Sequence, residues 1–264
     1  MELPLYQIDA FTDRPFGGNP AAVCPLDAWL PDETLQAIAL ENNLSETAFI
    51  VPRGADFDLR WFTPALEVDL CGHATLATAY LILRLLEPAR EEVGFETRSG
   101  RLTVVRDGDG LTMDFPSLPP HRQVDPGDPL IAALGQAPAE LHEVDKVHGM
   151  PYRLAVYDSV DEVAGLRPVF SNLGANVIAT AAGDDVDFVS RFFAPLSGID
   201  EDPVTGSAHC TLTPYWANRL DKSALTARQI SARVGDLGCR LEGDRVFLTG
   251  RCVLYLEGKV TLQD

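Results

Sequence analysis

The sequence predicts an α+β protein with two similar lobes, in each of which short strands wrap around one central helix. The main observation is a pattern that occurs twice: an aromatic strand, then a polar turn with glycine, then an apolar helix. The first copy joins residues 60–64 (RWFTP) to 71–75 (CGHAT), and the second joins 191–195 (RFFAP) to 205–209 (TGSAH). A further observation is that residues 74–86 are apolar almost all round, which is typical of a buried helix. Because the copies lie near half a chain length apart, we expect two lobes that face each other across a cleft.

Length and charge limit the function classes. The chain has 264 residues, 46% of them hydrophobic, which is enough for one large core or two smaller ones. Its formal net charge is -18 and its pI is near 4.5. Such a surface repels phosphate backbones, so we expect no nucleic-acid partner, and the excess charge also favours solubility. An anionic substrate would need local positive potential, which helix N-termini supply.

The cysteines predict free thiols. There are five of them, an odd number, and no CxxC spacing occurs, which argues against a disulfide framework and a zinc ribbon. A reducing, cytoplasmic location fits this composition best. Residues 1–16 lack the basic and apolar regions of a signal peptide. The longest apolar tract, residues 74–86, contains Arg84 and is too short to cross a bilayer, so we expect no membrane association.

The first half alternates strands and helices. A tight turn is predicted at residues 16–20 (FGGNP), because Gly and Asn tolerate positive φ and Pro fixes its own φ. A helix is predicted from Pro31, which suits a first helical turn, with Leu35 and Ile38 at helical spacing. Pro52 is expected to end the third strand. The predicted strands are residues 5–10, 21–24, 45–51, 58–63, 93–97, 102–106 and 111–115, and the predicted helices are residues 31–41 and 74–86.

The second half follows a proline-rich linker. Residues 116–129 contain five prolines, so we place the boundary there, with an N-terminal lobe at residues 1–116 and a C-terminal lobe at residues 117–257. Asp158 is expected to cap a short helix, and Pro214 to kink the second central helix. The predicted strands are residues 152–157, 177–180, 188–193 and most of 229–262, and the central helix is residues 208–220.

The two glycine turns are candidate binding sites. Gly72–His73 and Gly206–Ser207 stand at the predicted helix starts, where free backbone N–H groups and the positive dipole end can hold a carboxylate. The alternative is that the glycines only permit tight turns and that Ser207 is an N-cap. We find no dinucleotide, P-loop, zinc-protease or nucleophile-elbow motif, so we expect chemistry from ordinary side chains without a cofactor.

Three side chains are candidates for acid–base chemistry. His73 can position a substrate or shuttle a proton, and Asp202 can orient its ring; the alternatives are a structural histidine and an acidic loop residue. Glu46 shares its strand face with Ala48. A partly dry cleft on that face would suit a proton-transfer base, whereas otherwise Glu46 is a solvated strand residue.

The cysteines and histidines leave further alternatives. Cys71 stands beside the first glycine turn, where the helix end can activate a thiol, or it is a small buried thiol. Cys210 lies inside the second helix, so the two thiols are not equivalent under the repeat. A metal site from His73, Asp202 and His209 has no ligand spacing behind it, so no metal is expected.

Four motifs in register resemble the PhzF-like phenazine-biosynthesis family. They appear in the expected order over residues 7–208, and the length of the chain fits the family too. They are residues 7–12 (QIDAFT) with 18–23 (GNPAAV), residues 45–49 (SETAF), residues 71–75 (CGHAT) and residues 202–208 (DPVTGSA).

The resemblance implies the diaminopimelate-epimerase-like fold, with two pseudo-symmetric lobes, each a curled, mostly antiparallel sheet around a central helix. It also implies that a last strand, about residues 258–264, returns to the first lobe, and that the protein is a homodimer. The named member of the family is a cofactor-free isomerase that moves a proton within a dihydro-hydroxyanthranilate.

The resemblance also implies roles for named residues. Glu46 would be the proton shuttle, which takes a proton from one ring carbon and returns it to another on the same face. His73, Asp202 and Ser207 would orient the substrate, a small carboxylate. The substrate-binding residues would be Asn19, Gly72 and Gly206.

The sequence departs from the related epimerases, which carry a cysteine in each lobe. Cys71 matches the first of these positions, but Pro203 stands near the second, which disfavours a symmetric two-thiol racemase. An epimerase that uses Cys71 with another partner and a non-catalytic ligand-binding protein stay open as alternatives. The physiological substrate does not follow from the resemblance, because a fold hosts more than one reaction.

Overall fold

The computed structural model describes residues 1–125, 127–147 and 149–262 of the chain. The described chain forms two compact units. The first unit is Met1–Asp114 with Thr249–Asp264, and the second is Phe115–Leu248. From the sequence, the boundaries between the two lobes were expected after residues 116 and 257. The last two residues of the expected returning strand, 263 and 264, lie outside the described residues.

The first part of the chain forms a sheet and two helices. A π-helix at Leu81–Leu86 continues the second helix, so the expected helix at residues 74–86 is divided between two helix types. The elements are β1 (Glu2–Ala10), β2 (Asn19–Pro25), α1 (Asp32–Asn42), β3 (Glu46–Arg53), β4 (Asp56–Phe62), β5 (Glu67–Val68), α2 (Gly72–Tyr80), β6 (Glu92–Thr97), β7 (Gly100–Asp107) and β8 (Gly110–Pro116).

The rest of the chain forms a second sheet and then returns to the first. The elements are β9 (Arg122–Gln123), α3 (Pro129–Leu134), β10 (Glu140–Val147), β11 (Met150–Val156), α4 (Val160–Gly165), β12 (Asn176–Ala182), β13 (Phe188–Phe193), β14 (Glu201–Asp202), α5 (Gly206–Leu220), β15 (Ala224–Gln229), β16 (Gly235–Glu242), β17 (Arg245–Gly250) and β18 (Cys252–Thr261). Strand β18 pairs antiparallel with β1 along its whole length, from Glu2 opposite Thr261 to Ala10 opposite Cys252. It therefore begins earlier than the expected segment at 258–264.

The two sheets repeat one pairing order. In the first, β2 is parallel to β3, β3 is antiparallel to β4, β4 pairs antiparallel with β5 and parallel with β6, and β6 is antiparallel to β7. In the second, β11, β12, β13, β14, β15 and β16 repeat these relations in the same sequence. Helix α2 lies between β5 and β6 in the chain, as α5 lies between β14 and β15. The duplication read from the sequence is therefore also a duplication of topology.

A matching ion pair holds the strand before each glycine turn. The guanidinium of Arg60 on β4 binds both carboxylate oxygens of Glu67 on β5, at 2.7 Å each. Arg191 on β13 binds both oxygens of Glu201 on β14, at 2.8 Å each. Such bidentate pairs fix geometry as well as charge. They connect β5 and β14, which lead into the turns, to the central strands of their sheets.

Strand alternation sorts the first sheet into two faces. Phe49 and Phe62 pack with Leu35 and Ile38 of α1 in one hydrophobic cluster. Because neighbouring strand residues point to opposite faces, Glu46 on β3 points to the other face. That face is covered by α2, which is buried throughout from His73 to Ala79.

The second sheet is sorted in the same way. Val177 and Phe193 pack with α3 and α4. On the opposite face, Phe188 stacks on Trp216 of α5, with ring centroids 5.8 Å apart. The indole of Trp216 donates a hydrogen bond to Thr180, at 3.0 Å. Both central helices, α2 and α5, thus lie on the sheet face opposite the other α-helices of their unit.

Three local expectations are corrected by the structure. Ser159 and not Asp158 caps α4, because its hydroxyl accepts a hydrogen bond from the N–H of Glu162 at 3.3 Å. Strand β3 continues through Pro52, which pairs with Phe57; proline removes one N–H but keeps an extended φ available. The linker at 116–129 contains β9 and the start of α3.

The cysteines agree with the free thiols expected from their number and spacing. All five cysteines are free. Among the described residues, no helix is long and apolar enough to cross a membrane.

Candidate active site

The first glycine turn is the start of α2. Cys71 is the N-cap, with an extended backbone, and its side chain makes no capping hydrogen bond. The hydroxyl of Thr75 donates to the carbonyl of Cys71 at 2.5 Å, which ties the turn to the next helical turn. The N–H groups of Gly72 and His73 therefore stand at the positive end of the helix dipole without a capping side chain.

Glu46 and His73 form a close pair beside this turn. Oε2 of Glu46 and Nε2 of His73 lie 3.0 Å apart, and the side chains are 17% and 6% exposed. Both atoms are buried, and neither makes an aligned hydrogen bond within the described part of the chain. The attraction is therefore that of an ion pair when the imidazole is protonated. Glu46 is not the solvated strand residue of the alternative interpretation.

The other ring nitrogen of His73 faces β2. Nδ1 lies 3.1 Å from Nδ2 of Asn19 and 3.5 Å from Sγ of Cys71. Asn19 is fully buried, and its Oδ1 accepts a hydrogen bond from the hydroxyl of Ser45 at 3.4 Å. Gly18 permits this placement, because its φ is +59° and a Cβ there would overlap the carbonyl oxygen of Ala10.

The charges around the imidazole favour its protonated form. Burial of the ring lowers the pKa of His73, whereas Cys71, where it is a thiolate, and the carboxylate of Glu46 raise it, and the net direction is well above the usual value. Burial, followed by the charge of Glu46, raises the pKa of Cys71 to about 11. The thiol is therefore protonated at neutral pH, and Glu46 is the partner that supports an imidazolium there.

A metal ion fits this group poorly. Ligand atoms of Glu46, Cys71 and His73 all lie within 4.8 Å of one another. However, Glu46 approaches Nε2 whereas Cys71 approaches Nδ1, and the two nitrogens of an imidazole point away from each other. One ion bound to either nitrogen would be turned away from the ligand at the other. A thiol that keeps its proton is also a poor zinc ligand, since zinc binds the thiolate.

The second glycine turn is held by buried polar side chains. Thr205 and not Ser207 is the N-cap of α5, and it makes no side-chain capping bond either. Instead the hydroxyl of Thr205 donates to the carboxylate of Asp202 at 2.5 Å. Gln229 on β15, fully buried, accepts from the N–H of Thr205 at 2.9 Å and donates to the carbonyl of Asp202 at 2.8 Å. Gln229 thus fixes both ends of the turn.

Tyr152 and Asn176 lie beside Ser207. The buried hydroxyl of Tyr152 on β11 hydrogen-bonds with Ser207 and with Asn176. The amide of Asn176 donates to the hydroxyl of Ser197 at 3.1 Å and accepts from the N–H of Leu196 at 3.2 Å. Burial raises the pKa of Tyr152, so its hydroxyl is un-ionised at neutral pH.

The repeat makes the two turns comparable residue by residue. Thr47 pairs with Phe62 as Val177 pairs with Phe193, so Glu46 corresponds to Asn176. Counting from the glycines that begin the helices, His73 corresponds to Ser207, and Cys71 to Thr205. This is the alignment of residues 71–75 with 205–209 that was read from the sequence, and Pro203 stands two positions before Thr205. The first turn carries an acid–base pair where the second carries an amide and a hydroxyl.

The structure gathers the expected site residues into two groups. Glu46, His73, Asn19 and Gly72 lie together in the first unit, and Asp202, Gly206 and Ser207 lie together in the second. The expected Asp202–His73 pair joins residues of both units, and it stays a prediction.

Sequence reasoning missed several members of these groups. They are Ser45, Tyr152, Asn176 and Gln229. Alignment of the two copies could have identified Asn176, whereas Gln229 has no motif that marks it.

Comparison with known proteins covers nearly the whole chain. The family model described as phenazine biosynthesis-like protein (PhzC-PhzF) matches residues 8–258. An uncharacterized isomerase of Pseudomonas aeruginosa is 53% identical over 266 residues, which is 99% of this chain and 100% of the relative. A crystal structure of a PhzF-family phenazine biosynthesis protein from Enterococcus faecalis superposes with a TM-score of 0.93 at 43% identity, covering 99% of this chain and 100% of that one.

A more distant likeness concerns the fold alone. A hydroxyproline epimerase from Agrobacterium vitis has a TM-score of 0.63 at 14% identity, covering 100% of this chain and 93% of that one. The fold is thus the α+β fold shared with epimerases and racemases, as expected. The chain belongs to the PhzC-PhzF family of phenazine biosynthesis-like proteins.

Proposed function

We propose that this protein is a cofactor-independent isomerase that moves a proton within a small cyclic or amino-acid-like carboxylate, with Glu46 as the proton shuttle. The observation that carries the proposal is the half-buried Glu46–His73 pair, 3.0 Å apart, at an uncapped helix start. Relatives that are named isomerases support the reaction class. Asn176 and Ser207, which take the positions of Glu46 and His73 in the second unit, are neutral, and this supports a single proton-transfer pair.

The proposed step needs one carboxylate. Glu46 takes a proton from one substrate carbon and becomes a carboxylic acid, while the electron pair of the broken C–H bond moves into the substrate's conjugated system. The acid then returns the proton to another carbon on the same face, and the double bond shifts accordingly. One group can do both steps because abstraction leaves it as the acid that the second step needs. An imidazolium at His73 would favour the ionised, reactive form of Glu46 at the start.

Binding of the substrate carboxylate is assigned to the glycine turns. In this proposal the N–H groups at Gly72–His73 and Gly206–Ser207 hold the anion and stabilise charge that builds on it. Asp202 and Ser207 would orient the substrate. These neutral donors can attract an anion although the protein as a whole carries a formal net charge of -18. We expect the active form to be a cytoplasmic homodimer.

Replacement of Glu46 by Gln tests the proposal. The change preserves size and polarity but removes the group that accepts a proton, so turnover should fall by about 10²-fold or more. Hydrogen–deuterium exchange from solvent into a panel of small carboxylates, including trans-2,3-dihydro-3-hydroxyanthranilate, measures the activity. Ligand binding, measured by calorimetry with the compound that exchanges, should persist.

Glu41→Gln is the matched control. Glu41 lies on the exposed side of α1 and belongs to neither turn, so this variant should react like the unaltered protein. Full activity in Glu46→Gln would refute the shuttle.

A further inference from the structure

The two ring nitrogens of His73 have different surroundings. Nε2 faces the carboxylate of Glu46, and Nδ1 faces the side-chain amide of Asn19 at 3.1 Å and the thiol of Cys71 at 3.5 Å. The titratable groups that the structure places beside the ring are Glu46 from β3 and Cys71 from the turn before α2. Asn19, from β2, is the neutral group.

The ring of His73 has two protonation states to consider, the neutral imidazole and the imidazolium. The ionised carboxylate of Glu46, 3.0 Å from Nε2, only accepts, so we assign a hydrogen to Nε2 in both states. In the neutral ring, Nδ1 has a lone pair and needs a donor, whereas in the imidazolium it carries a hydrogen and needs an acceptor. The ring is buried, so a mismatch at Nδ1 would leave a polar atom without a partner, which native structures avoid.

One feature of the structure favours the neutral ring of His73, and another favours the imidazolium. The amide nitrogen of Asn19 faces Nδ1, which suits a neutral ring. The charges around the ring instead favour the imidazolium. Cys71 cannot serve both states equally, because a protonated thiol is a donor and its sulfur accepts only weakly.

We propose that Asn19 is a two-state positioning residue, whose amide presents its nitrogen to the neutral imidazole of His73 and its oxygen to the imidazolium. A side-chain amide carries a donor and an acceptor of nearly the same size, so it can exchange them by turning over. Ser45 complements either orientation, since a hydroxyl both donates and accepts, and it already contacts the other end of the amide.

This role deepens the proposed function and rests on it. A shuttle at Glu46 changes its charge in every cycle, and the proton affinity of His73 changes with it. With an amide that matches both forms, the ring can gain or lose its proton while Nδ1 stays paired. Asn19, fully buried behind the ring, would then act through His73 and not by touching the substrate.

Nuclear magnetic resonance of the ¹⁵N-labelled full-length protein tests the proposal without a substrate. The ring nitrogens of His73 and the side-chain amide of Asn19 are followed over a pH titration. Where the ring is neutral, we expect a scalar coupling across the hydrogen bond from Nδ2 of Asn19 to Nδ1 of His73. As the ring becomes charged, the coupling should vanish and the Asn19 amide resonances should move with the same midpoint. Asn19 resonances that stay constant while His73 titrates would overturn the proposal.

Asn19→Asp is the second arm, because a carboxylate can only accept. It should keep the ring charged to higher pH and lower the acid dissociation constant of His73 by about tenfold or more. Asn42→Asp is the matched control: Asn42 donates to Thr47, on the sheet face opposite His73, and the same charge change there should leave the His73 midpoint nearly in place. Equal shifts in both variants would contradict a specific role for Asn19. If the Glu46→Gln variant were fully active, the proposed isomerase mechanism would fail, but the expected spectra of His73 and Asn19 would stay the same. The two failures are therefore distinguishable.

Discussion

At the scale of single residues, the two nucleophilic side chains of the first turn differ in what their surroundings allow. Glu46 is partly exposed, and its carboxylate lies 3.0 Å from the ring of His73, whose protonated form is favoured. Cys71 is buried, and its thiol, with a pKa raised to about 11, keeps its proton at neutral pH. Reactive cysteines need the opposite setting, in which the thiolate is stabilised. The carboxylate is therefore the better base of the two.

Replacement of Cys71 by Ala should leave most of the activity in place. The loss should stay below about tenfold, since the thiol takes no part in the proposed proton transfer. The measurement is solvent exchange with the carboxylate that responds in the panel. Cys210→Ala, a buried thiol one turn into α5, is the control for the loss of a packed side chain. Inactivation by Cys71→Ala alone would instead support the epimerase alternative.

Single residues also show how far the sequence could lead. The motifs placed Glu46, His73 and Asn19 among the site residues, and the structure brings these three together. The two copies read from the sequence, residues 71–75 and 205–209, already paired Cys71 with Thr205. Gln229 was not foreseen, since its contacts depend on β15 lying beside β13.

At the scale of elements, strands and helices with a strong sequence pattern were predicted well, whereas those with a weak pattern were missed. The strand at Phe188–Phe193 was predicted at its observed bounds, because four of its six residues are aromatic or β-branched, which favours a strand. Strand β10 at Glu140–Val147 was missed, since charged residues interrupt it and only two of its eight residues are buried. The π-helix after α2 was also missed, because an apolar sequence looks the same in either helix type. The two missed elements depend on tertiary contacts, which a local sequence pattern does not record.

Helix α5 carries a histidine that should make the protein sensitive to acid. His209 is fully buried. Its Nδ1 lies 2.7 Å from the carbonyl of Thr205 and donates a hydrogen bond to it. Burial lowers the pKa of His209 to about 4. Between pH 6.5 and pH 4 the unfolded chain then binds more protons than the folded one, so stability falls as the pH falls through this window. The loss between pH 7 and pH 5 should be about 2 kcal/mol.

Urea unfolding of His209→Asn at both pH values measures this effect. Asn can donate to the same carbonyl but does not titrate, so the variant should lose about 2 kcal/mol less than the unaltered protein between pH 7 and pH 5. An identical pH dependence in the two proteins would show that His209 does not titrate as inferred.

At the scale of the whole molecule, the fold is duplicated and the chemistry is not. The two units share one pairing order, one arginine–glutamate pair and one uncapped helix start. The sequence foretold this duplication from its two aromatic-strand and glycine-turn copies. It could not foretell the division of labour, because the contact of Glu46 with His73 depends on how β3 packs against α2. A molecule with two acid–base pairs would suit two-base racemisation, whereas one pair suits a single shuttle.

A label-transfer experiment distinguishes these two chemistries. The test compound carries deuterium at the carbon that loses its hydrogen, and the reaction runs in ordinary water. One carboxylate that removes and returns the same proton should carry part of the label to the second carbon of the product, because some turnovers finish before the acid exchanges with solvent. Mass spectrometry with NMR locates the label. Two bases on opposite faces would instead deliver a solvent hydrogen every time. Complete loss of label, together with inactivation by Cys71→Ala, would therefore contradict the single-shuttle interpretation of this asymmetric pair of turns.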